Sequence, residues 1–411
     1  MSRVLATYRI ETPIDPRRAA ESIAGEQSCG TFVRVPGETD ELRALFGARV
    51  ERITELEAVD APSLPGARPA ADVYRRAEVA ISFPLENMGP SLTTLMATVA
   101  GNLFELSQVS GLKLVDLEVP AEFAAAYPGP AFGVEGTRRL TGVRGRPVIG
   151  TIVKPSVGLT PDATARLVGA LADAGLDFVK DDELMANPPH SPLAERVKAV
   201  MRAVNAHADR TGKKVMVAFN ISDEIDEMAR HHDTVLAAGG TCVMASLNSV
   251  GLPALAWLRR RAALPIHGHR NGWGMLSRHP QLGVAFKAWS VFWRLAGVDH
   301  LHTNGLRNKF FEEDESVVAS AKALLTPMHG TVVMPVLSSG QWAGQAPDTY
   351  RRLGTTDLMY LCGGGLLAHP GGPAAGIASL RQGWEAALAG RPLEDYAREH
   401  PELRQAMEMY A

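Results

Sequence analysis

Residues 147–183 read PVIGTIVKPSVGLTPDATARLVGALADAGLDFVKDDE, and this stretch decides the fold. An apolar run, 147–153, ends in Lys154-Pro155. A segment with helical spacing follows at 161–174. A second short apolar run, 177–180, then opens into Lys180-Asp181-Asp182-Glu183. Strand, helix and strand in that order give parallel strands joined by a crossover helix. An open doubly wound sheet, the competing architecture, needs a glycine-rich G-x-G-x-x-G turn after its first strand. Lys154-Pro155 stands there instead, so the closed barrel is preferred.

The rhythm repeats downstream. Apolar runs at 214–220, 241–246, 265–269, 300–303, 331–337 and 358–362 join the first two to make eight candidate strands, separated by segments long enough for helices. Eight such units predict a (β/α)8 barrel, closed by one or two helices within 380–411. Upstream the pattern differs. Strands are expected at 4–10, 31–35, 74–84 and 112–119, and helices at 16–24, capped by Asp15, and at 91–100. The Pro- and Ala-rich stretch 60–70 reads as a loop, and the Gly/Pro cluster 127–133 as a boundary. The expected organisation is a smaller mixed α+β, ferredoxin-like domain over 1–130 and a (β/α)8 barrel over 131–411.

The bulk numbers exclude several partners. A formal charge of −3 without a lysine- or arginine-rich block argues against nucleic acid and against an anionic membrane surface. No apolar run reaches 18 residues, so no membrane span is expected, and the start lacks the apolar core of a signal peptide. Cys29, Cys242 and Cys362 form no C-x-x-C pair and are odd in number. A reducing, cytoplasmic location fits them best.

In a barrel, polar residues at the carboxyl ends of strands face the active site. Strand one ends at Lys154, strand two in Lys180–Glu183, and strand five in His267-Gly268-His269-Arg270. Strand six carries Asp299-His300-Leu301-His302, strand seven runs into Ser338-Ser339-Gly340, and strand eight into Gly363-Gly364-Gly365. Alternation sends Lys180 and Asp182 to one side and Asp181 to the other. Asp182 and Glu183 make a hard oxygen site suited to Mg2+. Lys180 either balances their charge or takes up CO2 as a carbamate and becomes a third anionic ligand. The plain alternative for KDDE is a charged loop on the barrel rim. His267, His269, His300 and His302 are satisfied core histidines or, with acids, zinc ligands. Arg270 suits an anionic oxygen or a salt bridge to Asp299 or a helix acid. Gly340 and Gly363–Gly365 stand where barrels build phosphate sites from backbone N–H groups. The polar loop 303–309, TNGLRNK, is a candidate lid that would bring in Lys309.

These residues, in this order, resemble the large subunit of ribulose-bisphosphate carboxylase/oxygenase (RuBisCO), over nearly the whole chain. GTIVKP (150–155) resembles its strand-one lysine motif. GLDFVKDDE (175–183) resembles its metal motif, which implies a carbamylated Lys180 and Mg2+ on Lys180, Asp182 and Glu183. The resemblance further implies substrate roles for His269, Arg270, His302, Ser339 and Gly340, a mobile-loop role for Lys309, and a phosphate loop at Gly363 and Gly364. It implies a homodimer in which EQSCGT (26–31), carrying Glu26 and Thr31, and Gly101-Asn102 reach the site of the other chain.

The departures are equally informative. Ser156, Trp273, Gln341 and Phe32 replace the family's lysine, histidine, glycine and tryptophan. Asn304, Leu306, Arg307 and Asn308 replace small residues before Lys309. They fall around the substrate and argue against carboxylation of ribulose 1,5-bisphosphate, pointing to a RuBisCO-like protein of form IV. Asn102 stands where enolases of 2,3-diketo-5-methylthiopentyl 1-phosphate, in methionine salvage, have a lysine. HGHRNGWG (267–274) and SSGQWAGQ (338–345) are similar to a branch that includes 3-oxo-isoapionate-4-phosphate transcarboxylase/hydrolases of apiose catabolism. That resemblance implies a phosphorylated keto acid as substrate and an enediolate intermediate. It gives Lys154, Lys180 and His269 proton transfers, and has Lys309 steady CO2 or the new carboxylate. An enolase or isomerase acting on a phosphorylated ketose is the alternative, followed by a zinc hydrolase barrel and a non-catalytic binding protein.

Overall fold

The computed structural model describes residues 2–30 and 35–411. The expected strand 31–35, together with Thr31 and Phe32, falls outside or at the edge of the described residues. The strands in chain order are β1 (Arg3–Thr12), β2 (Arg49–Val59), β3 (Tyr74–Pro84), β4 (Gly111–Glu118), β5 (Val148–Ile152), β6 (Phe178–Lys180), β7 (Met216–Asn220), β8 (Cys242–Ser246), β9 (Ile266–His269), β10 (Leu282–Val284), β11 (His300–His302), β12 (Met334–Leu337) and β13 (Met359–Leu361). Residues group into two compact units, 1–128 with 272–296, and 129–271 with 297–411. Among the described residues, no helix is long and apolar enough to cross a membrane.

The first unit holds a sheet in the order β10-β4-β1-β3-β2. β1 pairs antiparallel with β3 and β4, and β2 pairs antiparallel with β3. With helices Pro16–Glu26 and Leu92–Ala100 between strands, this is the ferredoxin-like βαββαβ arrangement. The Asp15 side chain caps the first helix by accepting from the Arg18 amide at 3.1 Å. β2 escaped the sequence reading because it is an edge strand: RVERITELEAV is largely exposed, with no continuous apolar face to mark it. β10 adds three parallel residues beside β4.

The second unit is a closed barrel in the order β11-β12-β13-β5-β6-β7-β8-β9, and all eight expected strands are present. Their interiors alternate as parallel strands require: Met216 and Ala218, Cys242 and Met244, Met334 and Val336, Met359 and Leu361 share one buried cluster with Val148 and Phe178. Gly150 stays a glycine because a Cβ there would lie 2.6 Å from Leu361 Cδ2 and 2.8 Å from the Phe178 carbonyl.

A helix, Gly133–Thr141, closes the amino end of the barrel. Its Val134 and the following Val143 pack into the cluster formed by the first residues of β5–β8, β12 and β13. Asp299 fastens this helix. Its Oδ1 accepts from the Phe132 amide and, at 3.0 Å, from the Gly133 amide, while its Oδ2 accepts from the Ile266 amide at 2.8 Å and pairs with Arg259 at 2.9 Å.

Candidate active site

Parity along β6 decides what faces the barrel mouth. Lys180 shares the inward side with Phe178, and its side chain is 1% exposed. Its Nζ donates to the Asp181 carbonyl at 2.9 Å and lies 3.7 Å from both Met244 Sδ and Glu183 Oε2. Burial pushes this amine below its ordinary pKa, against the opposing pull of Glu183 and Asp182. Asp181 turns the other way, as alternation requires. It meets Arg196 at 3.2 Å and accepts from the Asn220 amide at 3.0 Å. Asn220, a residue the sequence reading missed, also donates from Nδ2 to the carbonyls of Asp182 (3.3 Å) and Glu183 (3.1 Å). The turn carrying the two acids is therefore fixed from behind by Arg196 and from the side by Asn220.

Lys154, at the end of β5, reaches Asp182 Oδ2 at 2.7 Å and Ser156 Oγ at 2.7 Å. Burial raises the Asp182 pKa, but hydrogen bonds from Lys154, the Leu184 amide and Ser156 outweigh it and hold the carboxyl below its ordinary value. His269 Nε2 lies 3.5 Å from Glu183 Oε2. Burial, then the nearby Lys180, lowers the His269 pKa to about 4, leaving the ring neutral at pH 7. The structure thus brings Lys154, Lys180, Asp182, Glu183 and His269 into one cluster.

A second group lies across β9, β11 and β12. Arg270 pairs with Glu312 at 2.9 Å, and Asn304 Nδ2 donates to the same Glu312 oxygen at 2.7 Å. Ser339 Oγ donates to Asn304 Oδ1 at 2.8 Å. The acid beside Arg270 is therefore Glu312, not Asp299. The His302 ring lies 4.5 Å from that of His269 and joins the two groups. Gly363 and Gly364 stand on the β5 side, where the Cys362 amide bonds the Gly150 carbonyl at 3.0 Å. A Cβ on Gly364 would meet nothing within 4 Å, so its backbone is open to approach. Gly364 begins the short helix Gly364–Leu367, whose first amides have no acceptor inside the helix.

In the first unit, Glu26 ends the helix Pro16–Glu26 and Asn102 begins a single 3-10 turn. The neighbouring Gln27 links the two segments: with its amide oriented to satisfy its surroundings, it donates to the Ala97 and Thr98 carbonyls at 3.0 Å and accepts from the Asn102 amide at 3.3 Å and the Leu103 amide at 3.1 Å.

The donor set fits a hard divalent ion on one condition. Among the described residues, no three His, Cys, Asp or Glu side chains gather as a metal site. Asp182 and Glu183 offer two carboxylates, and Lys180, 3.7 Å from Glu183 Oε2, is a buried amine with a lowered pKa. Neutral amines add CO2, and the resulting carbamate would supply the third anionic oxygen donor.

The family model for the ribulose bisphosphate carboxylase large chain, catalytic domain, matches residues 133–410, and that for its N-terminal domain matches residues 1–123. The chain belongs to the ribulose bisphosphate carboxylase large-chain family. A relative from Xanthobacter autotrophicus, named 3-oxo-isoapionate-4-phosphate transcarboxylase/hydrolase, is 56% identical over 98% of both chains. One from Rhizobium etli, named 3-oxo-isoapionate-4-phosphate decarboxylase, is 51% identical over 97% of both. The crystal structure of a rubisco-like protein from Burkholderia fungorum superposes with a TM-score of 0.94 at 49% identity, covering 99% of this chain and 100% of that one.

Against this ribulose bisphosphate carboxylase frame, one departure does something other than the sequence suggested. Gln341 was expected beside the substrate. Instead its side chain is fully buried: Nε2 donates to the Leu306 carbonyl at 3.0 Å, and Oε1 accepts from Tyr360 OH at 3.3 Å. It fills the space over Gly305, where a Cβ would sit 2.1 Å from Gln341 Cδ. Glutamine at 341 and glycine at 305 therefore interlock, and they anchor the base of the 303–309 loop to the segment that follows β12. Lys309, exposed farther along that loop, donates its amide to the Ser339 carbonyl at 3.2 Å. Gly305→Ala is expected to lower stability by about 1–3 kcal/mol through overpacking, and adding Gln341→Gly should recover most of that loss. A thermal midpoint unchanged in Gly305→Ala would contradict the interlock.

Proposed function

We propose that the protein acts on a phosphorylated 3-oxo acid, as a 3-oxo-isoapionate-4-phosphate transcarboxylase/hydrolase that forms 3-phosphoglycerate and glycolate. The observation that carries this reading is the cluster of Lys154, Lys180, Asp182, Glu183 and His269 at the barrel mouth, in a chain 56% identical to a relative of that name. Carbamylated Lys180, Asp182 and Glu183 would hold Mg2+, which supplies a Lewis acid for the ketone oxygen.

The chain's own residues would do the rest. The amides at Gly363 and Gly364 would bind the phosphate, and Arg270 and Ser339 would orient the other end of the substrate. Loss of CO2 leaves its electron pair on carbon as an enediolate. CO2 rebonds at the neighbouring carbon, water adds to the ketone, and the C–C bond between the two fragments breaks: the hydrated carbon becomes the carboxyl of glycolate, and the electron pair left on the other carbon takes up a proton to give 3-phosphoglycerate. Lys154, held by Asp182 and Ser156, would move the proton at the enediolate. Neutral His269 would accept one from the attacking water. Lys309 would steady the new carboxylate when the lid closes. Glu26, Thr31 and Asn102 are assigned to the site of a second copy in a homodimer. The free thiols of Cys29, Cys242 and Cys362 support a cytoplasmic location.

The name of the Rhizobium etli relative favours a second reading, decarboxylation without cleavage. Incubation with 3-oxo-isoapionate 4-phosphate separates the two: glycolate and 3-phosphoglycerate in equal amounts are expected. Release of CO2 without glycolate would establish the decarboxylase. Deuterium uptake from D2O with no carbon product would leave only an enolase.

A further inference from the structure

Three imidazoles, those of His302, His267 and His300, run through the barrel interior from beside His269, and the proposed chemistry uses none of them. His302 Nε2 lies 2.8 Å from His267 Nε2, His267 Nδ1 lies 3.3 Å from His300 Nδ1, and His300 Nε2 lies 2.7 Å from Thr137 Oγ1. Thr137 belongs to the helix that closes the barrel floor, and its hydroxyl also contacts the Gly133 carbonyl one turn earlier. At its upper end, His302 Nδ1 lies 3.3 Å from Ser338 Oγ, whose hydroxyl also has the Thr303 carbonyl at 3.4 Å and Ser339 Oγ at 3.5 Å, longer contacts than the one that commits the Thr137 hydrogen at the lower end.

The direction of every bond in this column follows from its lowest member. A carbonyl can only accept, so the single Thr137 hydrogen goes to the Gly133 oxygen, as helical threonines commonly bond back one turn. His300 Nε2 must then donate to the Thr137 oxygen. Burial lowers the pKa of all three rings, that of His300 to about 3 and those of His267 and His302 well below the ordinary value. Each ring is therefore neutral and carries one hydrogen. With its hydrogen on Nε2, His300 has only a lone pair at Nδ1, so His267 donates from Nδ1. His267 then accepts at Nε2, and His302 donates from Nε2. The column ends with an unprotonated His302 Nδ1 facing Ser338.

We infer that Thr137, acting through His300 and His267, is a positioning residue that fixes His302 in the Nε2–H tautomer and presents its Nδ1 at the β12 end as a hydrogen-bond acceptor. His302 can then accept from a hydroxyl, on Ser338 or on substrate, but cannot donate to an anionic oxygen from Nδ1. The assignment adds to the proposed function a selection for a hydroxyl donor at this position, and rests on that reading only for the identity of the substrate.

The test is nitrogen NMR of the whole protein labelled at histidine, with no substrate added. Its outcome is thus separate from success or failure of the glycolate assay. His302→Gln and His300→Gln identify the signals by their loss. The expected pattern is Nε2–H at His300, Nδ1–H at His267 and Nε2–H at His302. Thr137→Val, which keeps the shape but removes the hydroxyl, should shift His302 to a mixture of tautomers, and Thr137→Ser should restore the single form. Nδ1–H at His302 in the native protein, or an unchanged His302 in folded Thr137→Val, would overturn the inference. If the valine variant fails to fold, the native pattern alone decides.

Discussion

Lys180→Met is expected to lower kcat/KM for the phosphorylated keto acid by at least about a thousandfold, roughly 4 kcal/mol of lost transition-state stabilisation. The size follows from what the amine is proposed to become. Two carboxylates, Asp182 and Glu183, remain after the substitution, and the third donor is gone. Methionine is close to lysine in length and enters a site that already abuts Met244 Sδ, so the interior stays filled. The fold loses the hydrogen bond from Nζ to the Asp181 carbonyl, on the order of 1 kcal/mol. It also sheds a buried amine whose charged form is penalised by burial. Activity and stability should therefore part company: the thermal midpoint moves by a few degrees while glycolate production collapses. Activity within tenfold of the native protein would mean that Lys180 only balances charge.

Arg196→Met should act in the opposite sense, on stability first. Asp181 and Arg196 are almost wholly buried, 3% and 0% exposed. Burial pushes the Asp181 pKa up even with Arg196 beside it, so the pair is not a strong net source of stability. Removing one partner is different, because it strands a carboxylate in the interior and costs about 3–5 kcal/mol. Arg196 also donates to the carbonyls of Ser191, Met185 and Ala186 at 2.6–2.9 Å, and those acceptors would be left empty in the loop after β6. Urea titration should show the midpoint falling by an amount equivalent to that range. Adding Asp181→Asn should return part of the loss, since the stranded charge is then gone. A single substitution costing under about 1 kcal/mol would place the pair among those that contribute little.

The barrel was legible because its strands are buried on both faces. Most read as short apolar runs, with β9 and β11 broken by His267, His269, His300 and His302, and the eightfold repeat of strand and helix is what marks them. The inward set at the mouth was legible for a related reason: alternation along DFVKDDE assigns Lys180 and Asp181 to opposite sides without any tertiary information. What stayed hidden depends on partners far apart in the chain. Arg196 meets Asp181 through a helix fifteen residues away, and Glu312 reaches Arg270 across forty-two. Neither pairing leaves a local pattern. Gln341 was misread for a sharper reason. Its position next to a substrate motif suggested the pocket, whereas its amide is engaged with Leu306 and Tyr360 inside the barrel wall. The edge strand β2 lacked the apolar face that a period-two reading relies on.

The helix that closes the amino end of the barrel has a kinetic consequence. With Val134 and Val143 packed into the strand starts and Asp299 holding the chain at Phe132 and Gly133, the barrel is filled and closed at its floor, and its site opens at the mouth. For an enzyme of the proposed kind, CO2 set free at the mouth would leave past the 303–309 loop. Rebonding and escape then run as a race from a common intermediate. Transcarboxylation and plain decarboxylation would then be two branching ratios of one site, set by how long the loop anchored by Gly305 and Gln341 stayed over it.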